Sequence, residues 1–173
     1  MHDEPMLEAS YSEVELDAPG YPDVEICLAY WERLRGDRWA PPWHEFDWSE
    51  IPSNIIPCFG VVDVHPDPLD FVYRFWGSFH ARVSQQELTG KSVKDMHPAA
   101  ESRSVFEQYR ETLEAKRPRL FANVVRVGKW SLEMNEVSLR LPFSNDGQAI
   151  NQIVAFSDIR DDIVALEKAF ARR

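Results

Sequence analysis

The feature that most constrains the fold is the order of the β-type segments, because two of them precede a central helical stretch and three follow it. The first two, residues 59–64 and 71–76, are rich in valine and aromatic residues and are separated by a turn with two prolines. The later three are residues 120–127, 130–141 and 149–156. Consecutive strands with short connections pair antiparallel. The sequence therefore predicts an α+β fold with a five-stranded antiparallel sheet and a helical cluster on one face.

Helical periodicity appears on both sides of these strands. A helix is predicted to begin after Pro22 and to end at Gly36. Two short helical pieces, 79–86 and 92–97, precede a longer helix over 99–116. We therefore expect the helical cluster to form between the second and third strands.

The predicted domain runs from residue 21 to 158 and contains the first helix and a proline- and tryptophan-rich loop. An amphipathic helix over 159–173 follows it. The total charge is −10, but residues 1–25 hold eight acids and no base, and the rest of the chain holds 21 acids against 19 bases. Residues 1–20 are therefore interpreted as an acidic, flexible leader. A nearly neutral body lacks the basic surface that nucleic-acid binding requires, so no nucleic-acid partner is expected.

The strand over 130–141 has an irregular pattern. Its apolar residues stand at even positions at Leu132 and Met134 but at odd positions from Val137 onward. Because side chains alternate between the faces of a sheet, this switch predicts a β-bulge near Asn135 and Glu136. A turn is expected before this strand, at residues 128–129.

Common cofactor and catalytic signatures are absent from the sequence. The glycines are too far apart for a phosphate-binding loop, and the five histidines never stand at the i, i+4 spacing of a helical metal site. No stretch is apolar enough to span a membrane, and the N-terminus is acidic where a signal peptide is basic. We expect a cytoplasmic protein without a metal site.

Short motifs follow one another through most of the chain. They are Tyr30-Trp31 with Leu34-Arg35-Gly36, Phe46-Asp47-Trp48 with Glu50-Ile51-Pro52, Val62-Asp63-Val64, Tyr73-Arg74 with Gly77, and Leu88-Thr89-Gly90-Lys91. Their order and spacing resemble a PAS-like family of small single-domain bacterial proteins, best known from alphaproteobacteria. Asp158-Ile159-Arg160 is similar to the Asp-Ile-Thr ending of many PAS domains.

This resemblance implies a sensory module that holds a small molecule between sheet and helices, or a dimerisation module without a ligand. The cysteine-containing string of flavin-binding light sensors has no counterpart here, and the helix over 99–116 has no histidine to ligate haem. The cofactor is therefore unknown, with no haem, flavin or metal signature.

Arg74 is the first candidate ligand-binding residue. It lies between Val72 and Trp76 on one strand face, so its guanidinium is expected in an otherwise apolar layer. There it would pair with a ligand carboxylate or, as a scaffold, with an acid of the chain itself. Aromatic and polar residues expected to line the same space complete the candidate pocket: Trp76, His80, Tyr109, Phe121 and Asn123.

The terminal helices are candidates for a homodimer interface. Each has an apolar side that needs cover, either from a second copy or from the chain itself. The residues concerned are Val24, Leu28, Trp31, Ile163, Leu166 and Phe170.

Three functions remain open on the sequence alone. The first is a non-enzymatic PAS-like sensory module that binds a small molecule and passes a signal to an unidentified protein. The second is a small enzyme of the isomerase or dehydratase type, which would require a carboxyl group of raised pKa in the pocket. The third is a ligand-free interaction and dimerisation domain.

Overall fold

The structure is a computed structural model and describes residues 7–127 and 132–171. Its strands are β1 (Leu7–Val14), β2 (Phe59–Pro66), β3 (Leu69–Trp76), β4 (Arg119–Val127), β5 (Leu132–Phe143) and β6 (Gln152–Ser157). Its α-helices are α1 (Pro22–Arg35), α2 (Ser78–Ser84), α3 (Ala99–Ala115) and α4 (Arg160–Ala171). Short 3-10 helices lie at Trp43–Glu45, Trp48–Glu50, Ile56–Cys58 and Val93–Asp95. The turn expected at 128–129 lies outside the described residues.

The strands form one antiparallel sheet in the order β1-β4-β5-β6-β2-β3. Two strands, a helical cluster and three strands follow each other along the chain, which is the arrangement that the PAS resemblance implies. The predicted α+β class with an antiparallel sheet is confirmed. The sheet has six strands rather than five because residues 7–14 add β1 at one edge.

Strand β1 corrects the interpretation of a flexible leader for residues 7–14. Glu13 of this strand forms ion pairs with Arg117 and Arg119, and the Tyr11 hydroxyl donates a hydrogen bond to Glu111 at 2.7 Å. An edge strand held by backbone pairing and ion pairs needs no apolar period, so its sequence resembles that of a solvated tail.

The sheet is covered on both faces. One face, which we call the α1 face, packs against α1 through Leu120, Leu139 and Phe156. Trp31 of α1 is 2% exposed, and its indole nitrogen donates to the carbonyl of Pro142 at 2.8 Å. The opposite face, the α3 face, packs beneath α3 and carries the second apolar cluster, which includes Tyr73.

The bulge lies in β3 and not where the sequence predicts it. Strand β5 pairs with β4 in unbroken register through Asn135 and Glu136, and its pairing with β6, which begins at Ser138, is also regular. The apolar pattern switches because α1 covers the α1 face only from Val137 onward, so Glu133 and Asn135 on the same face are exposed. In β3 the register shifts between the partners of Val61 and Val62, which leaves Arg74 as the extra residue.

Candidate functional site

A chain of buried polar side chains crosses the α3 face, and we call it the polar cluster: Gln108, Asn123, Ser138, Arg140 and Ser157. The Gln108 amide donates to the Asn123 carbonyl oxygen at 2.6 Å, and the Asn123 amide donates to the Ser138 hydroxyl at 3.0 Å. The hydroxyls of Ser138 and Ser157 lie 2.7 Å apart. The alternation of the central strands directs these residues toward α3.

Arg140 lies at one end of this cluster and is 4% exposed. Its Nη2 donates to Gln108 Oε1 at 2.9 Å, and its Nη1 lies 3.4 Å from the Tyr109 hydroxyl. The guanidinium stands 4.5 Å from the centre of the Tyr109 ring, in a cation–π arrangement. Its Nε, also buried, has no hydrogen-bond partner among residues 7–127 and 132–171.

Three partly or fully buried acids lie around the other end of the cluster. Burial, followed by the charges of Asp162 and Glu101, raises the pKa of Glu136 to about 8, against a lowering by Arg140. Burial raises the pKa of Glu101 to about 7. Burial and then the neighbouring Asp161 and Asp158 raise the pKa of Asp162 to about 6. At neutral pH Glu136 is therefore mostly uncharged and Glu101 is divided between its two forms, whereas Asp162 is mostly ionised.

The structure brings most of the predicted pocket residues together. Tyr109 and Asn123 belong to or contact the polar cluster, and Phe121 is buried on the same face of β4. Trp76 packs against His80 with ring centres 4.6 Å apart. His80 Nε2 lies 2.8 Å from the Cys58 carbonyl, and burial lowers the His80 pKa to about 4, so the imidazole is neutral.

Arg74 does not lie in the apolar layer where the sequence places it. As the bulged residue of an edge strand, its side chain is 48% exposed and its Nε donates to Asp63 Oδ1 at 2.9 Å. The inward orientation expected for Arg74 is therefore wrong. Of its two expected pairings, the one with an acid of the chain itself is observed.

The terminal helices pack against the chain itself. Val24 and Trp31 are buried in the cluster on the α1 face, with Leu28 partly buried beside them. Ile163 is 7% exposed, and Leu166 is partly buried. The side chain of Phe170 lies outside the described part of the chain. Packing within the chain thus accounts for the apolar side of α1, while a homodimer stays a prediction.

The sequence interpretation missed Arg140, Gln108 and Ser138 as site residues. One signal was available, since Arg140 interrupts the apolar run of β5 as Arg74 interrupts that of β3. The difference is the position of the strand, because β5 is central and β3 is at the edge. A charged residue inside a central strand has no route to solvent along the sheet edge.

A cleft of about 420 Å³ lies near the sheet, bordered by Tyr21, Ala122, Val124 and Val137. Ala122, Val124 and Val137 belong to the α1 face, but Asn123 of the polar cluster and Glu136 also line this cleft, whereas Arg140 does not. Within residues 7–127 and 132–171, no group of three His, Cys, Asp or Glu side chains is arranged to hold a metal ion. In those ranges no helix has the length and apolarity to cross a membrane.

No family model matches the sequence, and a comparison with curated proteins gives no match. Among solved structures, the chain is similar to an RNA-binding light-oxygen-voltage receptor, with a TM-score of 0.42 and 12% identical residues. The match covers 97% of this chain and 44% of the receptor chain, so the chain spans less than half of the length of that receptor.

Proposed function

We propose that the protein is a cytoplasmic PAS-like sensory module that binds a small molecule between the α3 face and helices α2 and α3. The observation that carries this proposal is the polar cluster. A ligand-free interaction domain is most stable with an apolar core, because buried polar groups cost free energy unless each of them is hydrogen-bonded. Here a buried cation and its polar neighbours stand beside the apolar cluster of the α3 face, and two partly exposed carboxyl groups of raised pKa border them.

The signal would pass to another protein through the elements that cover the site. Helix α4 follows directly after β6, and its Asp162 lies close enough to raise the pKa of Glu136. A molecule bound on the α3 face would therefore change the surroundings of α4. This places α4 in the position of an output element in the proposal.

Native mass spectrometry of gently purified protein tests the proposal. The expected result is a mass above that of the bare chain, with the excess lost on denaturation. A Ser138→Val variant, which interrupts the polar cluster, should lose the excess mass. A Ser49→Ala variant, altered in a surface 3-10 helix, is the matched control and should retain it. A bare-chain mass under gentle conditions would instead favour the ligand-free interaction domain.

A second candidate is a small enzyme, and one observation favours it. Carboxyl groups with a raised pKa are characteristic of acid–base catalysis, and Glu136 and Glu101 both have one. His80 does not fit a catalytic pair with them, because it stacks on Trp76 and is held at the Cys58 carbonyl. The compound recovered after prolonged incubation separates the two functions, since a sensor returns it unchanged and an enzyme returns a product.

A further inference from the structure

The guanidinium of Arg140 differs in its partners from the guanidinium groups of the other arginines that the fold largely covers. Arg119, whose side chain is 13% exposed, contacts the carboxylates of Glu13 at 2.6 Å and Glu111 at 3.1 Å. Arg160 contacts Asp158 at 2.7 Å and also pairs with Asp23. Both therefore have negative partners within the chain.

Arg140 is the most buried of these three and has no such partner among the described residues. Its hydrogen bonds go to the neutral Gln108 and Tyr109, and its Nε is unpaired. Burying a cation without a counter-charge costs much free energy. A carboxylate that accepts two hydrogen bonds from the planar guanidinium would both balance its charge and pair its N–H groups. The guanidinium therefore presents a charge and an Nε donor that an anion would satisfy.

The nearby acids of the chain do not supply that charge. Glu136 stands four residues along the same strand, which is about 14 Å at the usual rise per residue. Its side chain is partly exposed, whereas Ser138 and Arg140, which follow on the same face, are both buried. A small molecule entering beside Glu136 would meet hydroxyl and amide groups first and the guanidinium last.

We propose that Arg140 is the binding residue for the carboxylate of a small organic acid, with Gln108 and Tyr109 holding the guanidinium in position. This inference rests on the proposed function and adds the chemical class of the ligand. The carboxylate would accept from Nε and from the adjacent Nη2, whose other hydrogen stays with Gln108, while Nη1 remains beside the Tyr109 hydroxyl. The hydroxyls of Ser138 and Ser157 would face the rest of the molecule.

Calorimetric titration of the full chain with butyrate, succinate and benzoate tests this class. The matched uncharged probes are butyramide, succinamide and benzamide, and inorganic phosphate serves as a second oxyanion. We expect at least one carboxylate to bind roughly 10- to 100-fold more tightly than its amide, the range of a charge-assisted bond. Equal affinity for acid and amide, or a preference for phosphate over every carboxylate, would overturn the inference.

Variants locate the binding to Arg140. Arg140→Met keeps the length and removes the charge, so it should abolish the preference for the acid over the amide. Arg140→Lys should restore part of it, because the lysine keeps the charge without the planar pair of donors. Arg74→Gln, at an exposed arginine of the same sheet, is the control and should bind as the original chain does. An unchanged preference in Arg140→Met would refute the assignment.

The thermal stability of Arg140→Met separates a binding role from a scaffold role. Since the cation has no acidic partner among the described residues, its replacement by methionine should leave the melting temperature unchanged or raise it. A large decrease in melting temperature would contradict the inference. If native mass spectrometry finds a bound compound without a charge, the inference about Arg140 is overturned and the proposed function stands. If it finds only the mass of the bare chain, the proposed function itself is refuted.

Discussion

Replacing Glu136 by glutamine keeps the shape of the protonated side chain and removes its ability to ionise. The ordinary pKa of 4.5 is raised to about 8 in the folded protein, chiefly by burial. Between these two values the folded state holds a proton that the unfolded chain releases, so the free energy of unfolding falls as pH rises through this window. At a pH above the folded pKa, the whole pKa difference lowers the free energy of unfolding by roughly 5 kcal/mol. Relaxation around this partly exposed group reduces the effect to about 2–4 kcal/mol.

Urea unfolding followed by tryptophan fluorescence measures this effect. Glu136→Gln should match the original chain at about pH 3, where Glu136 is protonated in both the folded and the unfolded state, and be about 2–4 kcal/mol more stable at about pH 9. Glu133→Gln is the matched control on the same strand, because Glu133 is exposed and pairs with Arg126. It should show no gain at alkaline pH. A variant that is less stable than the original chain at about pH 9 would show that Glu136 is ionised and paired, against this reasoning.

Three further predictions follow from the structure. Trp31→Phe should cost about 1–3 kcal/mol of unfolding free energy in urea, because it loses a buried bond to the Pro142 carbonyl. Trp39→Phe loses an exposed bond to the Gly147 carbonyl and should cost less; equal losses would contradict the packing of α1. Gly77→Ala should lower the free energy of unfolding by about 3 kcal/mol in the same assay, because the added Cβ would stand 2.2 Å from the Pro57 carbonyl oxygen. Gly60→Ala is the control and should be tolerated, since the atom nearest to its Cβ is 3.5 Å away. The affinity for butyrate should fall roughly tenfold between about pH 6 and pH 9, because the acids on α3, α4 and β5 lose their protons and then repel the bound carboxylate. Calorimetry that finds no decrease would contradict the placement of these acids around the site.

The order of elements was predictable because apolar periodicity and prolines mark the central part of the chain. Helix α1 begins at Pro22 and ends before Gly36, as the sequence predicts, and helix α3 differs from its predicted range by one residue. Strand β1 was not predictable by the same reasoning, since its partners are charges such as Arg119 that lie more than a hundred residues away.

The candidate site was only partly predictable for a related reason. A period-two pattern places a residue on a face only if no residue is inserted, and the inserted residue in β3 is Arg74 itself. The same alternation would have directed Arg140 toward α3, since β5 has regular register. What the pattern lacks is the lateral order of the strands, which decides whether an arginine reaches solvent or stays enclosed.

The most direct test of the account is amide hydrogen exchange with and without a bound carboxylate. Binding on the α3 face should slow exchange in α2, α3 and α4 and leave α1 unaffected, because α1 packs on the opposite face of the sheet. Slowing confined to α1 and the strand residues beneath it would place the ligand in the other layer and contradict the account.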